Sequence, residues 1–239
     1  MAADALAFYE RVLQFQGEAA GRHNGLRQEC PLREQIEVRA VSSEMREILS
    51  LSVRFGTQTV RQEASTVQPA GEPRWQAILR LALTEQTEGL TSAEKFFARA
   101  CLQPIAENLQ IQVQKNAHYN GSLCPACDGL PQMAVLRPEG EGASRSLVCS
   151  FCLCEWTFRR LVCPWCGEED KEKLPRYSAG QYTSVHVEAC DACLRYLKAI
   201  DMTVDGHAVP LVDEAASAVL DVWAVDRGYT KIVPNLIGF

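Results

Sequence analysis

Eight cysteines of this 239-residue chain fall into four C-x-x-C pairs: Cys124/Cys127, Cys149/Cys152, Cys163/Cys166 and Cys190/Cys193. The gaps between successive pairs are 21, 10 and 23 residues. A lone C-x-x-C says little, but four pairs in a repeated spacing point to metal sites. A tetrahedral ion asks for four thiolates at about 2.3 Å. Two cysteines three apart on a tight turn can reach one ion while the turn's N–H groups point at the sulfurs. The simplest reading is a tandem duplication, with one site in a module over 124–152 and another in a module over 163–193. The ten-residue gap also allows Cys149/Cys152 to share an ion with Cys163/Cys166. Residues after such turns often need positive φ, which glycine permits; Gly167 directly follows Cys166, and Gly129 follows Cys127 by two. Pro125 and Pro164 stiffen their turns.

The alternatives for these cysteines are disulfides or a redox dithiol. The N-terminal MAADALAFYERVLQ carries Asp4 and Glu10 with no basic stretch before an apolar run, so a secretory signal is not expected. In a reducing compartment clustered cysteines bind metal more often than they form disulfides. No βαβ context of the thioredoxin kind surrounds any pair. Two ions are therefore expected, iron or zinc, one per four-cysteine site, since sulfur-only geometry suits both. Zinc would be structural, and iron could also shuttle one electron. Cys154, two residues after Cys152, reads as a spectator or a substitute ligand. Cys30 and Cys101 read as ordinary thiols.

Charge narrows the function classes. Residues 1–120 hold 13 Lys+Arg against 14 Asp+Glu, net −1, and residues 121–239 hold 11 against 16, net −5; together these make the chain's −6. Two ions bound by eight thiolates add −4 to the second half, bringing it to about −9. Nucleic-acid binding needs clustered Lys/Arg, and the cysteine-rich half offers only the doublet Arg159-Arg160, which reads as a solvated face. No apolar run is long enough to span a membrane. No P-loop, G-x-S-x-G or H-E-x-x-H occurs, and His23, His118, His186 and His207 are scattered, so nothing argues for an enzyme. His186, four residues before Cys190, is either a neighbour of the metal ligands or the partner of a local carbonyl.

The elements that must position these cysteines follow from periodicity. Leu6, Tyr9 and Leu13 share a helical face, and Gly21 and Gly25 end that segment. Met45, Ile48 and Leu49 mark a second helix over about residues 35–51. After the break at 68–73, Pro73 suits a first turn, followed by Trp75, Ile78, Leu79 and Leu83. Thr91 and Glu94 form a capping box before Phe96, Phe97 and Ala100. Pro104 should kink or restart that helix before Ile105, Leu109 and Val113. Beyond residue 120 come short β runs at 133–136, 146–148, 156–162, 182–187 and 196–204. Asp205-Gly206 reads as a hairpin turn with a returning strand over 207–212. Asp213 reads as the N-cap of a last helix with an apolar stripe of Ala216, Val219, Leu220 and Trp223 and Gly228 at its end; the tail from Tyr229 is apolar enough to dock.

The runs LVCSFCLCEWTFRRLVCPWC (147–166), VEACDACLRYLKAIDM (187–202), LVDEAASAVLDVWAVDRGY (211–229) and SLCPACDGLP (122–131) resemble the accessory proteins for formate dehydrogenase, the FdhE family. Beyond the cysteines, the likeness rests on Glu155-Trp156 after the second pair, Tyr196-Leu197-Lys198 after the fourth, and the closing acidic-apolar helix. It covers about residues 121–235; residues 1–120 match only in being helical, and Cys154 is a departure. The resemblance implies an α+β chain: a helical domain over 1–120, rubredoxin-like (zinc-ribbon) metal modules over 121–160 and 161–212, and a C-terminal helix and tail over 213–239. It implies a cytoplasmic, non-catalytic maturation protein, a monomer or weak dimer. Its partner would be the catalytic subunit of a respiratory formate dehydrogenase, a molybdenum or tungsten protein exported through the twin-arginine pathway. Iron binding is associated with the family. Carried over position by position, the ligands are Cys124, Cys127, Cys149, Cys152, Cys163, Cys166, Cys190 and Cys193. A rubredoxin-like electron carrier and a zinc-ribbon nucleic-acid binder are the competing readings.

Overall fold

The computed structural model describes residues 2–23, 30–113 and 119–235. The chain divides into two compact units, Met1–Val113 and Gln114–Phe239.

The first unit is helical: α1 (Ala2–Arg22), α2 (Val38–Phe55), α3 (Gln58–Val67), α4 (Gly71–Leu83) and α5 (Ser92–Gln110). Its core is built from the predicted stripes. Met45, Ile48 and Leu49 of α2, Trp75, Ile78 and Leu79 of α4, and Phe97 and Ile105 of α5 are all buried. The capping box is present: Thr91 accepts from the Glu94 N–H, and the Glu94 carboxylate accepts from the Thr91 N–H. Pro104 does not restart the helix, which runs unbroken through it. Its missing N–H deprives the Ala100 carbonyl of a helical partner, and the Gln16 amide donates to that carbonyl from α1. Helix α3 has no counterpart in the sequence-based expectation. Only Ala64 and Val67 of it are buried, too few for a visible stripe. The side chains of Leu6, Tyr9 and Leu13, and residues Gly25 and His118, lie outside the described set.

The second unit is one sheet with helices on one face. Its strands are β1 (Pro131–Glu139), β2 (Gly142–Cys149), β3 (Glu155–Thr157), β4 (Arg176–Ala179), β5 (Tyr182–Cys190), β6 (Arg195–Asp201) and β7 (Thr230–Lys231). The order is β3-β2-β1-β6-β5-β4, with β7 beside the start of β6. Each cysteine module contributes three strands in the same sequence, a hairpin between two C-x-x-C pairs and a third strand after the second pair. The modules join head to tail. The first strand of one, β1, pairs in parallel with the last strand of the other, β6, with Met133 opposite Lys198 and Leu136 opposite Asp201.

The C-terminal segment departs from expectation. Asp205-Gly206 is a turn, but no strand returns over 207–212, because Pro210 begins a helix. Proline's fixed φ and absent N–H suit a first helical position. Val209 is the N-cap, and Asp213 reaches back to accept its N–H at 2.6 Å. Two helices form, α6 (Pro210–Ala216) and α7 (Ala218–Asp226), broken at Ser217. Gly228, at φ +86°, closes α7 in a Schellman turn, with Gly228 N–H to Val225 O and Tyr229 N–H to Ala224 O. Leu220 and Ala224 join Met133, Val135, Val187, Tyr196 and Ile200 in the core under these helices. Of the predicted stripe, Ala216 and Val219 face outward while Glu214 and Asp221 turn in. The tail docks through β7 and the buried Ile232, as far as residue 235.

Candidate functional site

Each C-x-x-C pair ends a strand or begins a module in a tight turn, and the four turns share one backbone signature. The residue directly after the second cysteine has positive φ in every case: Asp128 at +56°, Leu153 at +55°, Gly167 at +76° and Leu194 at +56°. The expectation located this at Gly167 correctly and at Gly129 incorrectly, since Asp128 takes the left-handed conformation. The turns close by short backbone bonds such as Asp128 N–H to Cys124 O and Gly167 N–H to Cys163 O. They aim N–H groups at sulfur, with Ala126 N–H 3.4 Å from Cys124 Sγ and Phe151 N–H 3.3 Å from Cys149 Sγ.

The sheet then brings the turns together in two sets: Cys124, Cys127, Cys149 and Cys152, and Cys163, Cys166, Cys190 and Cys193. The sulfurs of each set lie within 4.8 Å of one another. Two of the separations are 3.6 Å for Cys124–Cys152 and 3.4 Å for Cys127–Cys149. In the second set they are 3.8 Å for Cys163–Cys193 and 3.6 Å for Cys166–Cys190. A tetrahedron of sulfurs about 2.3 Å from a central ion has edges of about 3.8 Å. Four soft donors at that spacing fit a zinc or iron ion. The sets follow the tandem arrangement, and the interleaved one does not occur.

The thiol chemistry of the sets fits the same conclusion. In the first, hydrogen bonds from Cys124, Cys149 and Cys152 hold the Cys127 thiol well below its ordinary value. Those to Cys127 and Cys149 push Cys124 up. A central cation would favour the thiolate form of all four. Cys154 is buried against this set, its sulfur within reach of Cys124 and Cys152, and its S–H donates to the Glu155 carbonyl at 3.8 Å. The two sets differ in burial. All four cysteines of the first are buried, whereas Cys166 is exposed and Cys193 half-buried in the second.

The remaining candidates are dispersed. His186 is buried on β5, where its Nδ1 accepts from Arg176 at 2.9 Å and its Nε2 lies 3.5 Å from Glu188. It belongs to an ionic chain on the face of the sheet opposite α6 and α7. Glu188 meets Arg145 at 2.7 Å, and Arg176 reaches Asp201 at 3.1 Å. Burial would raise the Glu188 carboxyl, but the Arg145 charge and the close contact with His186 outweigh it and bring it down to about 2. His23 pairs with Glu44 at 3.1 Å, and His207 is exposed. The Arg159-Arg160 doublet splits: Arg159 pairs with Glu169 at 2.7 Å, while Arg160 lines a cleft.

Sequence reasoning missed a buried ionic cluster behind the second set. Lys198 on β6 is fully buried and donates to Asp221 of α7 at 2.6 Å, with Glu214 of α6 3.3 Å away. Lys231 on β7 pairs with Glu214 and, at 2.9 Å, with Asp221. The Tyr196 hydroxyl donates to Asp221 at 3.0 Å and Asn235 to Glu214 at 2.8 Å. The signal was present in Tyr196 and Lys198, two apart on one strand, and in the acidic last helix; these side chains meet one another.

Comparison with known proteins agrees with this geometry. The family model "FdhE, central domain" matches residues 123–160, and "FdhE, C-terminal domain" matches residues 162–237. A "Protein FdhE homolog" of Aquifex aeolicus is 27% identical over 80% of this chain and 68% of its own length. One of Pseudomonas aeruginosa is 38% identical over 65% of this chain and 53% of its own length. The chain thus spans from about half to two-thirds of these relatives. The crystal structure of the FdhE protein from Pseudomonas aeruginosa has the same fold, with a TM-score of 0.70 at 24% identity, covering 95% of this chain and 86% of that one.

Proposed function

Since this chain belongs to the FdhE family through residues 123–237, we propose that it is a cytoplasmic accessory protein for a respiratory formate dehydrogenase. In this reading it binds the catalytic subunit before export and acts by binding, not by catalysis. The observation that carries the reading is the pair of four-cysteine sets within the family-matched region. The eight residues Cys124, Cys127, Cys149, Cys152, Cys163, Cys166, Cys190 and Cys193 would each give one thiolate. A bound iron or zinc ion would tie the two turns of each module together, and iron would add a one-electron couple. The chain's own residues do the rest: the turn N–H groups steady the sulfurs, and the head-to-tail sheet fixes the sites in one body. Among the described residues no helix is long and apolar enough to cross a membrane.

The test is capture of a formate dehydrogenase catalytic subunit by the tagged, metal-replete chain without oxygen. Stable association is the expected result, and no association under those conditions would sink the proposal. One observation favours a second reading, a rubredoxin-like electron carrier: the exposure of Cys166 brings one site to the surface. That reading requires a coloured iron protein that bleaches reversibly on reduction, and a colourless zinc protein ends it.

A further inference from the structure

A cleft of roughly 120 Å³ lies on the face of the sheet opposite α6 and α7, beneath the segment that leads from β3 into the second module. Arg160 and Leu161 form one rim. Leu174 and Leu197 contribute apolar wall, and Cys163 and Cys190 of the second sulfur set lie at its edge. Four arginines line it, Arg145, Arg160, Arg176 and Arg195, against a single carboxylate, Glu188.

Two of these arginines are accounted for. Arg145 is buried, pairs with Glu188 and donates to the Arg159 carbonyl at 3.0 Å. Arg176 pairs with Asp201 and His186. The other two have no carboxylate partner among the described residues. Arg160 is exposed. Arg195 lies with its guanidinium 3.8 Å over the ring of Trp165, itself 42% exposed. In a half of the chain whose formal charge is −5, two unneutralised guanidiniums at one cleft are a local exception. Guanidinium forks match carboxylates, and stacking on an indole holds one of them in place. The walls between them are aliphatic, so a bare anion would leave them wetted.

We infer that this cleft seats an acidic peptide segment, one or two Asp or Glu side chains flanked by aliphatic residues, presented by the protein's client. The carboxylates pair with Arg160 and Arg195, and the aliphatic neighbours cover Leu161 and Leu174. This rests on the reading of the chain as a client-binding protein and names what the client offers. It also places the client beside the solvent-accessible sulfur set.

The test uses the full, metal-loaded chain and fluorescence anisotropy of a labelled Leu-Asp-Leu-Glu-Leu peptide, its Asn/Gln counterpart, and inorganic phosphate as competitor. The acidic peptide should bind, the amide peptide should not, and added salt should weaken the complex. Arg160→Ala and Arg195→Ala should each weaken it about tenfold. Arg159→Ala, whose partner Glu169 is off the cleft, should not. Equal binding of the two peptides, or unchanged affinity in both cleft variants with intact metal content, overturns the inference. Full displacement by millimolar phosphate also overturns it, in favour of a small-anion site. Client capture is scored separately. If wild type and the Arg160→Ala/Arg195→Ala chain capture the client equally, the cleft assignment alone falls.

Discussion

Lys198, in the middle of the sheet, donates to Asp221 of α7 at 2.6 Å with neither side chain open to water. Two lysines and two carboxylates make this cluster neutral as a whole, which is what allows its burial. Removing one member leaves an uncompensated charge. Lys198→Met should therefore cost about 3–5 kcal/mol. Lys198→Met combined with Asp221→Leu should cost less than the sum of the single changes, because the two act on one network. Urea unfolding of the metal-loaded protein measures both. A cost below about 1 kcal/mol for Lys198→Met would show that the cluster does not hold the helices on the sheet.

The unequal burial of the sulfur sets predicts two-phase metal loss. The ion bound by Cys163, Cys166, Cys190 and Cys193 should leave first under a chelator, because Cys166 is exposed, and the fully enclosed first set should release its ion slowly. Cys166→Ser should abolish the fast phase and Cys127→Ser the slow one. Cys154→Ser should leave two ions per chain, since four other sulfurs already complete that tetrahedron. Release in a single phase, or a stoichiometry that drops in Cys154→Ser, would contradict the assignment of ligands.

The four left-handed turn residues give a test of backbone strain. Leu194 holds φ +56° while 53% exposed, so its side chain gains little burial to offset the cost of that conformation. Leu194→Gly should stabilise the metal-loaded protein by up to about 1 kcal/mol. Leu194→Val should destabilise it by more than that, since β-branching sharpens the clash. Thermal unfolding of the two variants should move in opposite directions.

Much of this site was legible in advance, for a definite reason. Four-sulfur coordination constrains sequence spacing so tightly that C-x-x-C pairs announce both the two four-cysteine sets and the hairpins between them. The helices of the first unit with several buried apolar residues, α2, α4 and α5, could be read as stripes. Helix α3, with two buried residues, could not. What escaped were relationships between distant residues. Lys198 and Asp221 look like ordinary surface charges until β6 and α7 are stacked. Pro104 looks like a helix breaker until Gln16 from another helix meets the freed carbonyl. Pro210 decided against the predicted last strand, because a proline at that point suits a helix start better than a sheet interior.

The two cysteines of the first unit should behave oppositely toward thiol reagents. Burial, helped by the charges of Glu44 and Glu47, pushes the Cys101 thiol well above its ordinary value. Its sulfur lies 3.9 Å from Met45 Sδ inside the helical core. Cys30 is only half-buried. With metal bound, iodoacetamide should modify Cys30 quickly and Cys101 only after unfolding, as peptide mass spectrometry would report. Rapid labelling of Cys101 in the folded protein would show that this core opens readily.

The head-to-tail joint has a consequence for synthesis on the ribosome. Strand β1 finds its second neighbour only when β6 exists, because Met133 pairs with Lys198 and Leu136 with Asp201. The first module can gather its own cysteines as soon as residue 152 has emerged, yet one side of its hairpin stays unpaired until residue 201 follows. During that interval the nascent chain carries an open strand edge that any similar edge nearby can capture. Timely completion of the second module is thus what protects the first from its neighbours on the same polysome.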